Sequence, residues 1–155
     1  MTHVDTLVLD GSEVRAVRWE ADDQTECGTV SVVFAAACVR RDVSTPTEAT
    51  PSRRASAWGH MKPLTLRLHG VARAADANGG TSEQAEDLGD AIGALSDGEV
   101  RYAGQAWRTL PLPCHVSAPV TLSLRFRAGQ EWVWRGQGLT MQPEADSRFF
   151  ESYAC

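Results

Sequence analysis

Of the four cysteines and four histidines of this chain, six are the candidate metal ligands or nucleophilic partners: Cys27, Cys38, His60, His69, Cys114 and His115. Zinc takes three or four converging ligands, usually supplied as short-spaced pairs. The chain has neither CxxC nor HxxxH, and in an extended segment the neighbours Cys114 and His115 point to opposite sides. No metal and no cofactor is expected. A thiolate–imidazole pair needs only hydrogen-bond reach in space, so Cys114, or an Asp, acting with His60, His69 or His115 leaves a small hydrolase open. No GxSxG and no Gly-rich loop ahead of a helix supports it. Gly136-Gln137-Gly138 falls inside a predicted strand, where such a motif marks a bulge or a close backbone approach.

Two stretches interleave cations with aromatics. Arg53, Arg54, Trp58, His60 and Lys62 lie in a segment, Asp42 to Pro63, rich in Ser, Thr, Pro and Arg and expected to be a mobile loop. There Trp58 either captures a partner or folds back to seal a sheet edge. The second stretch, Arg125 to Gly136, reads as two strands and a turn, and loop length decides what it does. A two-residue loop, Gly129-Gln130, sets Arg127 against Trp132 and Arg125 against Trp134. That makes a cationic–aromatic platform for a planar ligand, a sugar or a protein. A three-residue loop, Arg127 to Gly129, sets Leu124 against Trp132 and Leu122 against Trp134 and turns both indoles into the core. Gly129 in the third position favours the second. The aromatic ending, Arg148-Phe149-Phe150, is expected to pack back as a last strand or to form a subunit contact.

These side chains need elements to hold them, and the strongest pattern is period two. From Leu64 to Ala74 the even positions read Leu, Leu, Leu, Gly, Ala, Ala and the odd ones Thr65, Arg67, His69, Val71, Arg73. From Val120 to Ala128 the even positions are apolar and the odd ones are Thr121, Ser123, Arg125 and Arg127. Alternation of this kind gives each strand one buried and one wet face, as in antiparallel sheet. Arg67, His69, Arg125 and Arg127 are therefore expected in solvent, with Leu66, Leu68, Leu122, Leu124 and Phe126 in one core. Thr6 to Asp10 and Glu13 to Glu20 flank Gly11-Ser12, a candidate hairpin turn. Thr29 to Arg40, Glu99 to Thr109 and Glu131 to Thr140 complete the set of strands. Asp76 to Glu99 carries seven acids and no base, and Leu88, Ile92 and Leu95 at helical spacing suggest a short helix ending near Gly98. Its acids read as a solvated face rather than a divalent-cation site. The expected fold is all-β and mainly antiparallel: one domain over residues 1–155, a β-sandwich of about seven to eight strands with one short helix. A closed β-barrel is the alternative.

The 155 residues, 43% hydrophobic and 23% charged, suffice for one packed core. No apolar run approaches the roughly 20 residues that cross a bilayer, and no secretory leader is visible, so the expectation is a cytoplasmic domain. The net charge of −5 makes nucleic acid an unlikely partner, since that binding begins with neutralising phosphates. Cys27 and Cys38, eleven positions apart on one predicted strand, would sit about 36 Å apart, far beyond disulfide reach. The expected function is a non-catalytic domain that binds a protein or small-molecule ligand through loops and one sheet face. The alternatives are the small hydrolase and a barrel carrying a small apolar ligand.

Overall fold

The computed structural model describes residues 2–22, 27–47, 50–72 and 92–152. Twelve strands occur among them: β1 (Thr2–Ala21), β2 (Cys27–Thr47), β3 (Thr50–Lys62), β4 (Leu64–Ala72), β5 (Gly93–Tyr102), β6 (Gln105–Trp107), β7 (Thr109–Leu112), β8 (Cys114–Val116), β9 (Val120–Phe126), β10 (Glu131–Gly136), β11 (Gly138–Met141) and β12 (Arg148–Glu151). Every pairing is antiparallel. The main path runs β10-β9-β5-β1-β2-β4-β11-β8 and does not close into a barrel, so the open alternative of the two expected all-β architectures holds.

The organising element is the β1–β2 ribbon, which serves two neighbourhoods. Its outer half pairs Thr2–Val8 with residues 38–44, and carries β7 along β1 and then β3 and β12 along β2. Its inner half pairs Glu13–Ala21 with residues 28–36, and carries β4 along β2 and touches β5 at Glu13 and Val14. The halves join at a bulge rather than at the expected Gly11-Ser12 hairpin turn. Register passes from Val8↔Cys38 to Glu13↔Ala36, so four β1 residues oppose one on β2. Gly11 takes a φ of 85°, a left-handed conformation that costs glycine little. Fully buried Ser12 donates from Oγ to the Val8 carbonyl at 2.7 Å and accepts the Cys38 N–H at 2.9 Å. One hydroxyl thus satisfies two backbone groups that the broken ladder would orphan.

Three further expectations change. The Asp42 to Pro63 segment is not a loop where it is described: its residues continue β2 and form β3, paired from Ala37↔Met61 to Thr47↔Thr50. The short helix is replaced at its end by β5, in which Leu95 is fully buried and Leu95 to Tyr102 pair with β9. Gly93 turns into that strand with φ 110°; residues 76–91 lie outside the described residues. Among the described residues there is no helix, and none long and apolar enough to cross a membrane. The strand count exceeds the expected seven to eight because β3, β8 and β12 form outside the expected runs and the runs from Glu99 and Glu131 each divide, while the bulge joins two expected strands into β1.

One core unites these pieces. Leu66 and Leu68 of β4, Leu122, Leu124 and Phe126 of β9, Leu95 and Val100 of β5, and Leu7, Leu9 and Leu110 are each 0–1% exposed. Gly136 lets β10 approach β4: a Cβ there would lie 2.5 Å from the His69 carbonyl oxygen, to which Gln137 N–H donates at 2.7 Å. The Gly-Gln-Gly motif is thus a close backbone approach, as its place in a strand implied.

Candidate functional site

The β9–β10 turn settles which way the tryptophans face. Phe126 pairs with Gln130 across Arg127, Ala128 and Gly129, and Gly129 is left-handed at φ 106°. This three-residue loop sets Trp132 opposite Leu124 and Trp134 opposite Leu122. Trp134 is buried at 5% exposure, Trp132 is half-buried, and their rings stack on the core side with centroids 5.9 Å apart and planes 6° apart. The cationic–aromatic platform is not built. Arg125 and Arg127 are on the wet face, as expected, and Arg125 pairs instead with Glu131 at 3.2 Å. The shallow hollow beside them is lined by Asp97, Glu99, Ser123, Arg125 and Glu131, and each of its acids is paired with an arginine of the lining or beside it. Glu99 meets Arg101 at 2.9 Å and Asp97 lies 3.9 Å from Arg108.

The histidines separate. On the outer surface of β4–β11–β8, Thr140 lies opposite both Arg67 and His115, and His69 Nε2 is 2.7 Å from Thr140 Oγ1. Arg67 and His115 are exposed, while His69 is half-buried rather than in open solvent. Burial, then Arg67, then His115 lower the His69 pKa, so the neutral ring is favoured. His115 Nε2 meets Ser117 Oγ at 2.7 Å. Cys114, its neighbour, is turned inward, and burial pushes its thiol pKa up, which suppresses the nucleophilic thiolate. His60 is on β3, in a different neighbourhood. Among the described residues no group of three or more His, Cys, Asp or Glu side chains is placed to hold a metal ion.

That other neighbourhood, the outer half of the ribbon with β3 and β12, has two distinct faces. The inner one carries Leu7, Val39, Met61 and Leu110 into the core and ends in a polar plug. Arg41 donates twice to the buried Asp5 carboxylate, at 2.8 and 2.9 Å. That bidentate bond holds the guanidinium charged, above its ordinary range. The Phe149 ring covers the Arg41 guanidinium at 4.3 Å. This contact and the pairing of β12 with β3 dock the chain's aromatic ending as a last strand, as expected.

The outer face carries the alternate residues. Its rows across the sheet are Val4–Asp42–Ser56, then Thr6–Arg40–Trp58, then Val8–Cys38–His60–Phe150, then Lys62–Arg148. Trp58 (41%), Phe150 (50%) and Val4 (60%) stand exposed on it. With strands about 4.8 Å apart and alternate residues about 6.8 Å apart, Trp58 and Phe150 are diagonal neighbours at about 8 Å. Lys62 Nζ lies 5.2 Å over the Phe150 ring. Asp42 is held by Arg40 at 3.3 Å and by Ser56 Oγ at 2.6 Å, and with Val4 and Ser44 these line a shallow trough of about 510 Å³. Of the residues singled out in the sequence, the structure thus brings Trp58, His60 and Lys62 together on one face, sets Arg148 and Phe150 of the aromatic ending beside them and adds Arg40. Arg53 and Arg54 pair with Thr45 and Ser44 in the β2–β3 ladder; their side chains lie outside those described. Phe150 and Arg40 were not assigned to this site from the sequence, because their contribution depends on β12 and β2 flanking β3. No protein family, curated protein or solved structure matches the chain.

Proposed function

We propose that this protein is a non-catalytic binding domain, resident in the cytoplasm, that engages a protein partner through the outer face of β1, β2, β3 and β12. One observation carries the reading: Val4, Trp58 and Phe150 are all about half exposed on one face of the sheet, together with Arg40, His60, Lys62 and Arg148. Clustered exposed apolar side chains with a polar rim mark interaction surfaces, and aromatic and arginine side chains supply most interface hot spots. The thiol that the sequence offered as a nucleophile supports catalysis less well, since Cys114 faces the core while its neighbour His115 faces outward. The His115–Ser117 pair is what favours the hydrolase alternative, and p-nitrophenyl ester turnover abolished by His115→Ala would establish it. The binding reading is tested by peptide display against the full chain. Peptides that bind wild type and lose affinity for the Trp58→Ala/Phe150→Ala variant support it; peptides indifferent to that change refute it.

A further inference from the structure

We infer that the occupant of this face is a short, extended, acidic segment of a partner polypeptide, an assignment that rests on the binding reading above. Two observations select it, area and charge. The face spans four strands and, on β3, the seven residues (six steps) from Ser56 to Lys62. At about 4.8 Å per strand and 3.3 Å per residue this is roughly 20 by 20 Å, or about 400 Å². A standard protein–protein interface takes about 800 Å² from each partner, so the face suits a segment of about six extended residues better than a folded domain or a second copy of this chain. The charge is opposite to that of the molecule. The chain has 20 acids against 15 Lys and Arg, yet the face carries Arg40, Lys62 and Arg148, with His60, against Asp42 alone.

That single acid is engaged by Arg40 and Ser56. Among the described residues, no carboxylate lies within ion-pair distance of Lys62 or Arg148. Asp146 and Glu151 flank β12 in the chain and Arg40 is already paired with Asp42, so the occupant's carboxylates belong on the β3 side, near Lys62. Its apolar residue belongs between Trp58 and Phe150. Like-signed occupants are rejected by the same cations, which gives the face selectivity as well as affinity.

The test uses random dodecapeptides displayed on phage and selected on the immobilised full chain. Enriched peptides are synthesised with a fluorophore and titrated by anisotropy. Four chains are compared: wild type, Trp58→Ala/Phe150→Ala, Lys62→Glu/Arg148→Glu, and Arg67→Glu on the other outer surface. Acidic sequences are expected to be enriched. Each double variant should weaken them about tenfold or more, and Arg67→Glu less than about twofold, with every variant still unfolding cooperatively. Neutral or basic sequences, or affinity unchanged by Lys62→Glu/Arg148→Glu, overturn the acidic-segment assignment. The face reading then survives if Trp58→Ala/Phe150→Ala still abolishes binding. No enrichment, or indifference to both double variants, overturns both. Self-association of wild type in sedimentation that Trp58→Ala/Phe150→Ala abolishes makes the occupant a second copy and also overturns the assignment.

Discussion

Two parts of this molecule have nearly the same composition and opposite fates. The β9–β10 hairpin and the β2–β3–β12 edge each carry arginines interleaved with tryptophan or phenylalanine. In the hairpin a three-residue turn sends both indoles inward and the arginines outward. At the edge, Trp58 and the cations Lys62 and Arg40 share the outer face, because all occupy positions of one parity in paired strands. Period two makes register the arbiter: a slip of one residue exchanges every side chain between core and solvent. Composition nominates a cationic–aromatic surface, and register decides whether one is built.

The strongest way to break this comparison is to show that the hairpin is not core. Leu124 is 1% exposed beneath Trp132. Leu124→Ala should cost about 2–5 kcal/mol from lost transfer energy and the cavity left behind. A urea-midpoint change equivalent to under about 0.5 kcal/mol would place the leucine, and with it the hairpin register, on the wrong side.

A smaller loss is expected at the plug that anchors β12. Arg41→Ala strands the Asp5 carboxylate, 7% exposed, without its bidentate partner, and removes the cation under Phe149. The Arg41 side chain is itself a quarter exposed, so the cost should fall below that of a fully buried pair, at about 2 kcal/mol. Adding Asp5→Asn should recover part of it in a double-mutant cycle. Failure to recover any would mean the loss comes from packing against Phe149 rather than from the stranded charge. Next comes Ser12→Ala, which leaves the buried Cys38 N–H and the Val8 carbonyl without their shared hydroxyl. About 1–2 kcal/mol is expected in the same urea series. An undiminished midpoint would show that the bulge relaxes to pair these groups itself.

How far the sequence foresaw these regions follows from what each strand packs against. β4 and β9 were legible because large leucines alternate with Arg, His, Ser and Thr, the mark of a sheet with one wet face. β3 was not legible. Its inward positions include Ala57 and Gly59, and Gly59 is small because a Cβ there would strike the Phe150 carbonyl oxygen and the Phe149 ring. Small inward residues with Ser, Trp, His and Lys outward look like loop composition, although the alternation from Ala55 to Lys62 is present. The helix expected around Leu88, Ile92 and Leu95 failed at its described end because pairing of β5 with β9 outweighs a three-residue spacing coincidence. Phe150 and Arg40 joined the face only through pairing of β3 with β12 and β2, a long-range fact that single-strand periodicity does not contain.

The histidines sharpen the comparison through pH. His69 has a lowered pKa in the folded state, so below the ordinary imidazole value of about 6.5 the unfolded chain binds more protons. Stability should therefore fall as pH drops from 7.5 to 5.5, and His69→Gln should flatten that fall in paired urea titrations. A steeper fall in the variant would mean that protonated His69 is stabilised by Thr140 and its surroundings rather than penalised by burial, Arg67 and His115.

The smallest expected stability change is the one that separates the two aromatic regions most sharply. Trp58 and Phe150 make part of their surface available to solvent, so Trp58→Ala and Phe150→Ala should each shift the unfolding free energy by less than about 1 kcal/mol. Trp134→Ala, in the buried indole stack, should cost about 3–5 kcal/mol. A large loss at Trp58 would mean that its ring seals the β3 edge, and its place on the outer face would then be structural. A small loss, with loss of peptide binding, would separate the surface that functions from the one that folds.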